Sequence, residues 1–356
     1  MTWQGIHEHD EVVEQFRNAL RAGRLASTFL FVGPPGVGKR TFALKLAQAL
    51  LCAGGRAEEL APCGTCPPCQ QVLAGSHPDL EYIARPADKS DIPLELLIGD
   101  RDHRLREGLC FRIALKPLAG GRKVAILDDA DDLNEEGANC LLKTLEEPPP
   151  RAVIILIGTS EQRQLPTIRS RCQVVRFRPL SESTLVRLLQ EQGLAATAEV
   201  AADLAQVADG SLTRAAELAE ADVWSCRREL LHLLAQSDWD SLDVSKWLTG
   251  FVEAAGEETR AKRERLRMAL EQAATFYRQL MRALNGQPVP ADQPLNTAVS
   301  AAQRWWTAGP QQAADGLDGC LRALAAIDAN ANLATLIDAW CDDLAGMTRG
   351  EPVLSR

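Results

Sequence analysis

Two stretches of this chain carry residue types at spacings that could do chemistry. "GPPGVGKRT" (33–41) follows the phosphate-binding pattern G-x-x-x-x-G-K-[ST], with Gly33, Gly36, Gly38 and Lys39 in their slots. In such a loop the glycines turn backbone N–H groups toward phosphates, the Lys reaches the β and γ oxygens, and the last hydroxyl ligates Mg²⁺. Here the hydroxyl slot holds Arg40. A guanidinium has no acceptor and cannot ligate a metal. Thr41 offers a hydroxyl, but one residue further along a helix is a rotation of about 100°. Because Mg²⁺ bridges the β and γ phosphates, hydrolysis is expected to suffer more than binding. Arg40 could stand in for part of the metal's charge.

The second stretch contains Cys52, Cys63, Cys66 and Cys69, spaced C-x₁₀-C-x₂-C-x₂-C. A C-x₂-C turn aims two sulfurs at one point, and four thiolates at about 2.3 Å suit tetrahedral Zn²⁺. A closed four-sulfur set leaves no open position, so the expected ion is structural. The alternative is four unrelated thiols; no other two of the ten cysteines lie close together in the chain, and those six read as small core hydrophobes.

Further candidates follow along the chain. "KVAILDD" (123–129) is an apolar strand ending in Asp128, where an acid supporting Mg²⁺ would stand, then Asp129, where a Glu would orient the attacking water. Asp is one methylene shorter, and a misplacement of that size can cost about 100-fold in rate. A buried strand ending in solvated acids is the plainer alternative. Thr159 and Ser160 end "AVIILIGTS" (152–160), where a polar sensor of a γ-phosphate would sit. "LPTIRSRC" (165–172) supplies Arg169 and Arg171, and "ADGSLTRAAEL" (208–218) places Arg214 at a helix start. The two arginines beside the strand end are by default solvated surface charges, with a finger reaching a neighbouring subunit's γ-phosphate as the functional alternative; Arg214 is grouped with the loop's own candidate nucleotide contacts.

Elements that would position these residues are visible in the apolar patterning. "TFLFVG" (28–33), "DLEYIA" (79–84), "RKVAILDD" (122–129), "AVIILIGTS" (152–160) and "CQVVRF" (172–177) read as strands, most of them apolar on both faces. Alternating with helices, they predict an α/β domain with a covered parallel sheet. The first strand runs straight into the glycine loop, and "RTFALKLAQALLC" follows as a helix whose N-terminus favours anions. That context argues against a chance Gly/Pro turn. Beyond residue 177 the pattern is helical, interrupted by a loop at "NGQPVPADQP" (285–294).

A chain of 356 residues allows two or three domains, and 46% hydrophobic residues allow real cores. No apolar run approaches membrane-spanning length, and the polar N-terminus reads as helical rather than as a signal peptide. With cysteines patterned for metal, a reducing, cytoplasmic location is expected. A net charge of −9 excludes a uniformly basic nucleic-acid coat but not a local basic patch.

In order and combination, "GPPGVGKRTFA", "NCLLKTLEEPP", "LPTIRSRCQVVRF" and "ADGSLTRAAEL" resemble the clamp-loader branch of the AAA+ ATPases, and "LLKTLEEPP … SRC" is specific to it. The resemblance implies an AAA+ P-loop base over 1–178 with a zinc module at about 52–69. It further implies a small helical lid over 179–222 and an all-α collar over 223–356 that joins five subunits in a ring. Implied partners are the other clamp-loader subunits of bacterial DNA polymerase III (gamma or tau, and delta), the sliding clamp and primer-template DNA. It also implies that Arg171 completes the ATP site of an adjacent motor subunit. Motor subunits would carry Thr after the Lys and an intact Asp-Glu pair, often with a long extension, whereas this chain stops at Arg356. Arg40 and Asp129 therefore point to a non-motor subunit with little or no ATPase activity, and leave open whether ATP/Mg²⁺ is bound. Two alternatives stand beside it: an active motor subunit or related AAA+ remodeller, and a zinc-dependent DNA-binding module. The acidic balance, with no Lys/Arg cluster at 52–69, counts against the last.

Overall fold

The computed structural model describes all residues except 1, 4, 87, 105, 120, 239, 289–291, 308 and 349–356. The chain divides into two compact units, Met1–Ala215 and Ala216–Arg356.

The first unit is built on a five-stranded parallel sheet. In chain order its elements begin with β1 (Thr2–Trp3), β2 (Ile6–His7), α1 (Asp10–Arg21), β3 (Thr28–Val32), α2 (Lys39–Leu51), α3 (Pro67–Leu73) and β4 (Leu80–Ile83). They continue with α4 (Leu94–Ile98), α5 (Gly108–Ala114), β5 (Lys123–Leu127), α6 (Glu135–Glu146), β6 (Ala152–Ile157), α7 (Pro166–Arg169) and β7 (Gln173–Arg176). Three helices follow: α8 (Glu182–Glu191), α9 (Ala198–Val207) and α10 (Leu212–Leu218). The order across the sheet is β4-β5-β6-β3-β7, so β3 lies between β6 and β7. All five expected strands are present, and the period of two lets β3, β5 and β6 bury both faces. Phe29, Phe31, Val124, Ile126, Val153 and Ile155 face one core, and Leu30, Val32, Ala125, Leu127, Ile154 and Leu156 the other. The first core is aromatic: Phe16, Phe29, Phe31, Phe42 and Phe177 form a chain of tilted and edge contacts at 4.9–5.9 Å.

The N-terminus differs from the helical expectation. Residues 2–3 and 6–7 pair as antiparallel strands around Gly5, whose φ of +83° suits glycine, and helix starts only at Asp10. Tertiary burial wins over local pattern: Trp3 and Ile6 pack into the aromatic core, and the Trp3 indole N–H donates to the Leu60 carbonyl at 2.8 Å. The helical pattern after residue 177 is found as expected, with Ser181 and Thr197 hydroxyls capping α8 and α9.

The second unit is wholly helical among its described residues: α11 (Ala221–Leu234), α12 (Ser241–Glu253), α13 (Thr259–Leu284), α14 (Gln293–Gln303), α15 (Gly309–Asp328) and α16 (Leu333–Thr348). The 26-residue α13 is its spine, and Gly316 of α15 lets the helices meet: a Cβ there would lie 2.7 Å from the Tyr277 ring. The expected loop at 285–294 runs from the end of α13 to the Asp292 cap of α14, its residues 289–291 lying outside those described. No helix among the described residues is long and apolar enough to cross a membrane.

Candidate functional site

The phosphate loop leaves the C-terminal end of β3, the crevice position where open α/β sheets bind ligands. Gly36 (φ +69°) and Gly38 (φ +100°) adopt backbone conformations that other residues resist, and Gly38 caps α2. Two glycines are further required by crowding. A Cβ on Gly33 would lie 2.3 Å from the Phe177 carbonyl oxygen, and one on Gly36 would lie 2.4 Å from the Thr213 nitrogen. The turn before α10 thus abuts the loop, and the Leu212 N–H donates to the Gly36 carbonyl at 3.2 Å.

The charged side chains of the loop are satisfied from within the chain. Lys39 folds back, its Nζ donating to the Gly33 and Pro34 carbonyls at 2.5 and 2.6 Å. Burial pulls its pKa down to about 8, against the opposing pull of Asp131 and Asp128. Arg40 reaches across to the acidic strand end: its Nε is 3.6 Å from Asp128 Oδ2, and its guanidinium lies over the Tyr82 ring at 5.0 Å. The Tyr82 hydroxyl donates to the same Asp128 oxygen at 2.8 Å, and burial foremost raises the Tyr82 pKa, keeping that proton in place. The carboxylate that would support Mg²⁺ is therefore held by a guanidinium and a phenol. Thr41 is exposed on the next position of α2, and Asp129 is exposed with φ +54°.

One organising residue was not singled out from sequence. Asp131 accepts the Thr159 N–H at 2.8 Å and hydroxyl at 2.5 Å, and the Gln164 amide at 2.5 Å. Thr159 has a single hydroxyl proton, so while bonded to Asp131 it cannot donate to a phosphate. The only sequence signal for Asp131 was its place in "DDADD", where four acids look alike. Arg214 pairs with Asp209 at 3.7 Å beside the turn that meets Gly36.

Arg171 lies elsewhere. Its carbonyl accepts the Thr28 hydroxyl at 2.7 Å, which places it at the N-terminal end of β3, the opposite end from the phosphate loop. Five residues of strand, roughly 17 Å, separate the two. Arg171 donates through Nε to Glu146 Oε1 at 2.6 Å, while Arg169 donates to the Glu161 carbonyl at 3.5 Å.

At the far end of α2, Cys52, Cys63, Cys66 and Cys69 converge, their sulfurs all within 4.8 Å of one another. Cys52 caps α2 and Cys66 caps α3, so two helix ends aim the set. Gly55 permits the approach: a Cβ there would lie 2.9 Å from the Cys52 sulfur. The Cys63 N–H points at the Cys52 sulfur (3.3 Å) and the Cys66 N–H at the Cys63 sulfur (3.4 Å). The Cys66 N–H first, with Thr65, pulls the Cys63 thiol down to about 6, a thiolate-favouring setting. Sulfurs 2.3 Å from one tetrahedral ion would be about 3.8 Å apart; Cys52 lies 3.5 Å from Cys63 and 3.8 Å from Cys66. The four cysteines could hold a zinc ion.

This arrangement has relatives. The family described as "DNA polymerase III, delta subunit" matches residues 8–181, which carry both the loop and the cysteines. Over these residues the chain is similar to subunits of DNA polymerase III. It is 40% identical over 147 residues to DNA polymerase III subunit delta' of Pseudomonas aeruginosa, covering 41% of this chain and 42% of that one. It is 31% identical over 233 residues to the delta' subunit of Escherichia coli, covering 64% and 66%. The tau subunit of Escherichia coli is 30% identical over 268 residues, 73% of this chain but 39% of its own. The matches thus span less than two thirds of these relatives' lengths.

Proposed function

We propose that this chain is the delta'-type subunit of a bacterial clamp loader, acting by geometry rather than by its own ATP turnover. The observation that carries the reading is Arg40. It stands where a Mg²⁺-ligating hydroxyl is needed and is already engaged by Asp128 and Tyr82, the groups around a metal's place. Loss of the Mg²⁺ ligand removes the charge neutralisation that phosphoryl transfer depends on. The committed Thr159 proton and the short Asp129 act in the same direction.

In this reading residues 1–178 are the AAA+ base, 179–222 the lid and 223–356 the collar of a hetero-pentameric ring shared with gamma or tau and delta. Gly33, Gly36, Gly38 and Lys39 keep the loop's shape, and Arg214 belongs to the lid that rests on it. The ring's ATP-driven work is to open the sliding clamp and place it on primed DNA. Arg171 contributes to a neighbour's ATP; its position at the far end of β3 keeps it from its own loop. Cys52, Cys63, Cys66 and Cys69 hold a structural Zn²⁺.

The direct test is ATP turnover by the isolated, zinc-loaded protein. Turnover far below the ordinary enzymatic range of about 1 s⁻¹ is expected. A rate in that range, abolished by Lys39→Ala, would establish the motor reading instead.

A further inference from the structure

Glu146 stands where helix electrostatics do not want it. It is the last residue of α6, and a carboxylate at a helix C-terminus faces the negative end of the dipole. Pro148 and Pro149 follow and prevent the helix from continuing, so its end is fixed. What Glu146 holds there is Arg171. The Arg171 Nε and Nη2 both donate to Glu146 Oε1, the Nε at 2.6 Å. Its Nη1 donates to the Thr167 carbonyl at 2.8 Å and to the Ser170 hydroxyl at 3.0 Å. A guanidinium has five N–H donors, and these bonds engage four of them.

A guanidinium bound in this way is not free to stabilise an incoming phosphate. Carboxylate and phosphate compete for the same fork of N–H donors. The Arg171 and Glu146 side chains are 29% and 49% exposed, so solvent screens the pair. Exposed pairs of this kind shift equilibria by at most about fivefold, which makes the bond exchangeable.

We propose that Glu146 is a positioning residue for Arg171, retaining the guanidinium on its own subunit until a neighbouring subunit's nucleotide phosphate displaces the carboxylate. The inference rests on the trans-acting role read for Arg171. Exchange makes Glu146 a ground-state competitor of the phosphate. Its removal tightens nucleotide engagement without adding any interaction peculiar to the transition state, so the change falls on KM rather than kcat.

The test uses the reconstituted clamp loader, with ATPase rates measured over a range of ATP concentrations. Four forms of this subunit are compared: unmodified, Glu146→Gln, Arg171→Ala and the double variant, with Glu146→Asp as the conservative control. Arg171→Ala is expected to lower kcat. Glu146→Gln is expected to lower KM about two- to fivefold with kcat within about twofold of the unmodified complex. That shift should vanish in the Arg171→Ala background, and Glu146→Asp should restore the unmodified KM. An unchanged kcat in Arg171→Ala overturns the trans role and the competition with it. A lowered kcat there overturns the competition alone if Glu146→Gln leaves KM unmoved, if its shift persists in the double variant, or if it lowers kcat as Arg171→Ala does.

Discussion

The phosphate loop and the cysteine cluster sit at the two ends of one helix, α2, and they have met opposite fates. Gly38 caps one end and Cys52 the other. At the loop every charge that would face a ligand has found a partner within the chain: Lys39 on the Gly33 and Pro34 carbonyls, Arg40 on Asp128 and Tyr82. At the cysteines the described polar contacts of the sulfurs are with each other, with backbone N–H groups and with the Thr65 hydroxyl. The N–H and hydroxyl donors favour negative sulfur, and none of these contacts supplies a cation. A protein chain can supply ammonium, guanidinium and carboxylate groups to one another, so a loop for a charged ligand can be closed internally. Four converging sulfurs whose described partners include no cationic side chain are suited to a cation from outside.

The largest effect that could break this contrast is at the cysteines. Cys66→Ser is expected to abolish a stoichiometric zinc content measured by elemental analysis. It should also lower the melting temperature by about 10 °C or more, because metal binding is folding free energy. The damage should reach the sheet's aromatic core, since Leu60, between Cys52 and Cys63, is fully buried in it and its carbonyl accepts the Trp3 indole N–H. A metal-free protein with unchanged melting would place the cluster in the same internally satisfied class as the loop.

A smaller effect is expected from crowding at the loop. Gly33→Ala drives a methyl group into the Phe177 carbonyl oxygen, at 2.3 Å before relaxation, and should destabilise by about 2–3 kcal/mol in urea unfolding. Neutral behaviour would mean that β3 and the segment after β7 separate easily, and that the loop's shape is not enforced by its neighbours.

Arg40→Thr should change stability least, by about 1 kcal/mol or less, because the pair it breaks is exposed on the arginine side. It should nonetheless make nucleotide binding depend on Mg²⁺, read by calorimetry with and without chelator, while turnover stays low because Asp129 remains. Equal Mg²⁺ dependence in the unmodified protein would show that Arg40 does not occupy the metal's place.

How well these regions could be read in advance follows the same division. β3, β5 and β6 were the most legible because burial on both faces leaves a continuous apolar signature, and the cysteines because C-x₂-C spacing is local. The β1–β2 pair was not, since Trp3 and Ile6 are placed by a core assembled from residues far along the chain. Asp131 was hidden among identical neighbours, and the partners that distinguish it, Thr159 and Gln164, lie 28 and 33 residues away. Tyr82 carried no motif at all; it matters because β4 and β5 pair in parallel and set its hydroxyl beside Asp128.

The sequence by itself determined the layered α/β unit, the helical remainder, the residues of the glycine loop, and the grouping of the four cysteines. These depend on periodicity and on spacings of a few residues, where backbone geometry leaves little choice. The tertiary structure decided whether those residues remain available. It laid Arg40 across Tyr82 onto Asp128, committed the Thr159 proton to Asp131, and set the turn at Ser211–Thr213 against Gly36. It also put Arg171 at the other end of β3 from its own loop. Each of these is a contact between segments far apart in the chain, and long-range pairing of interchangeable charges leaves no local pattern to read.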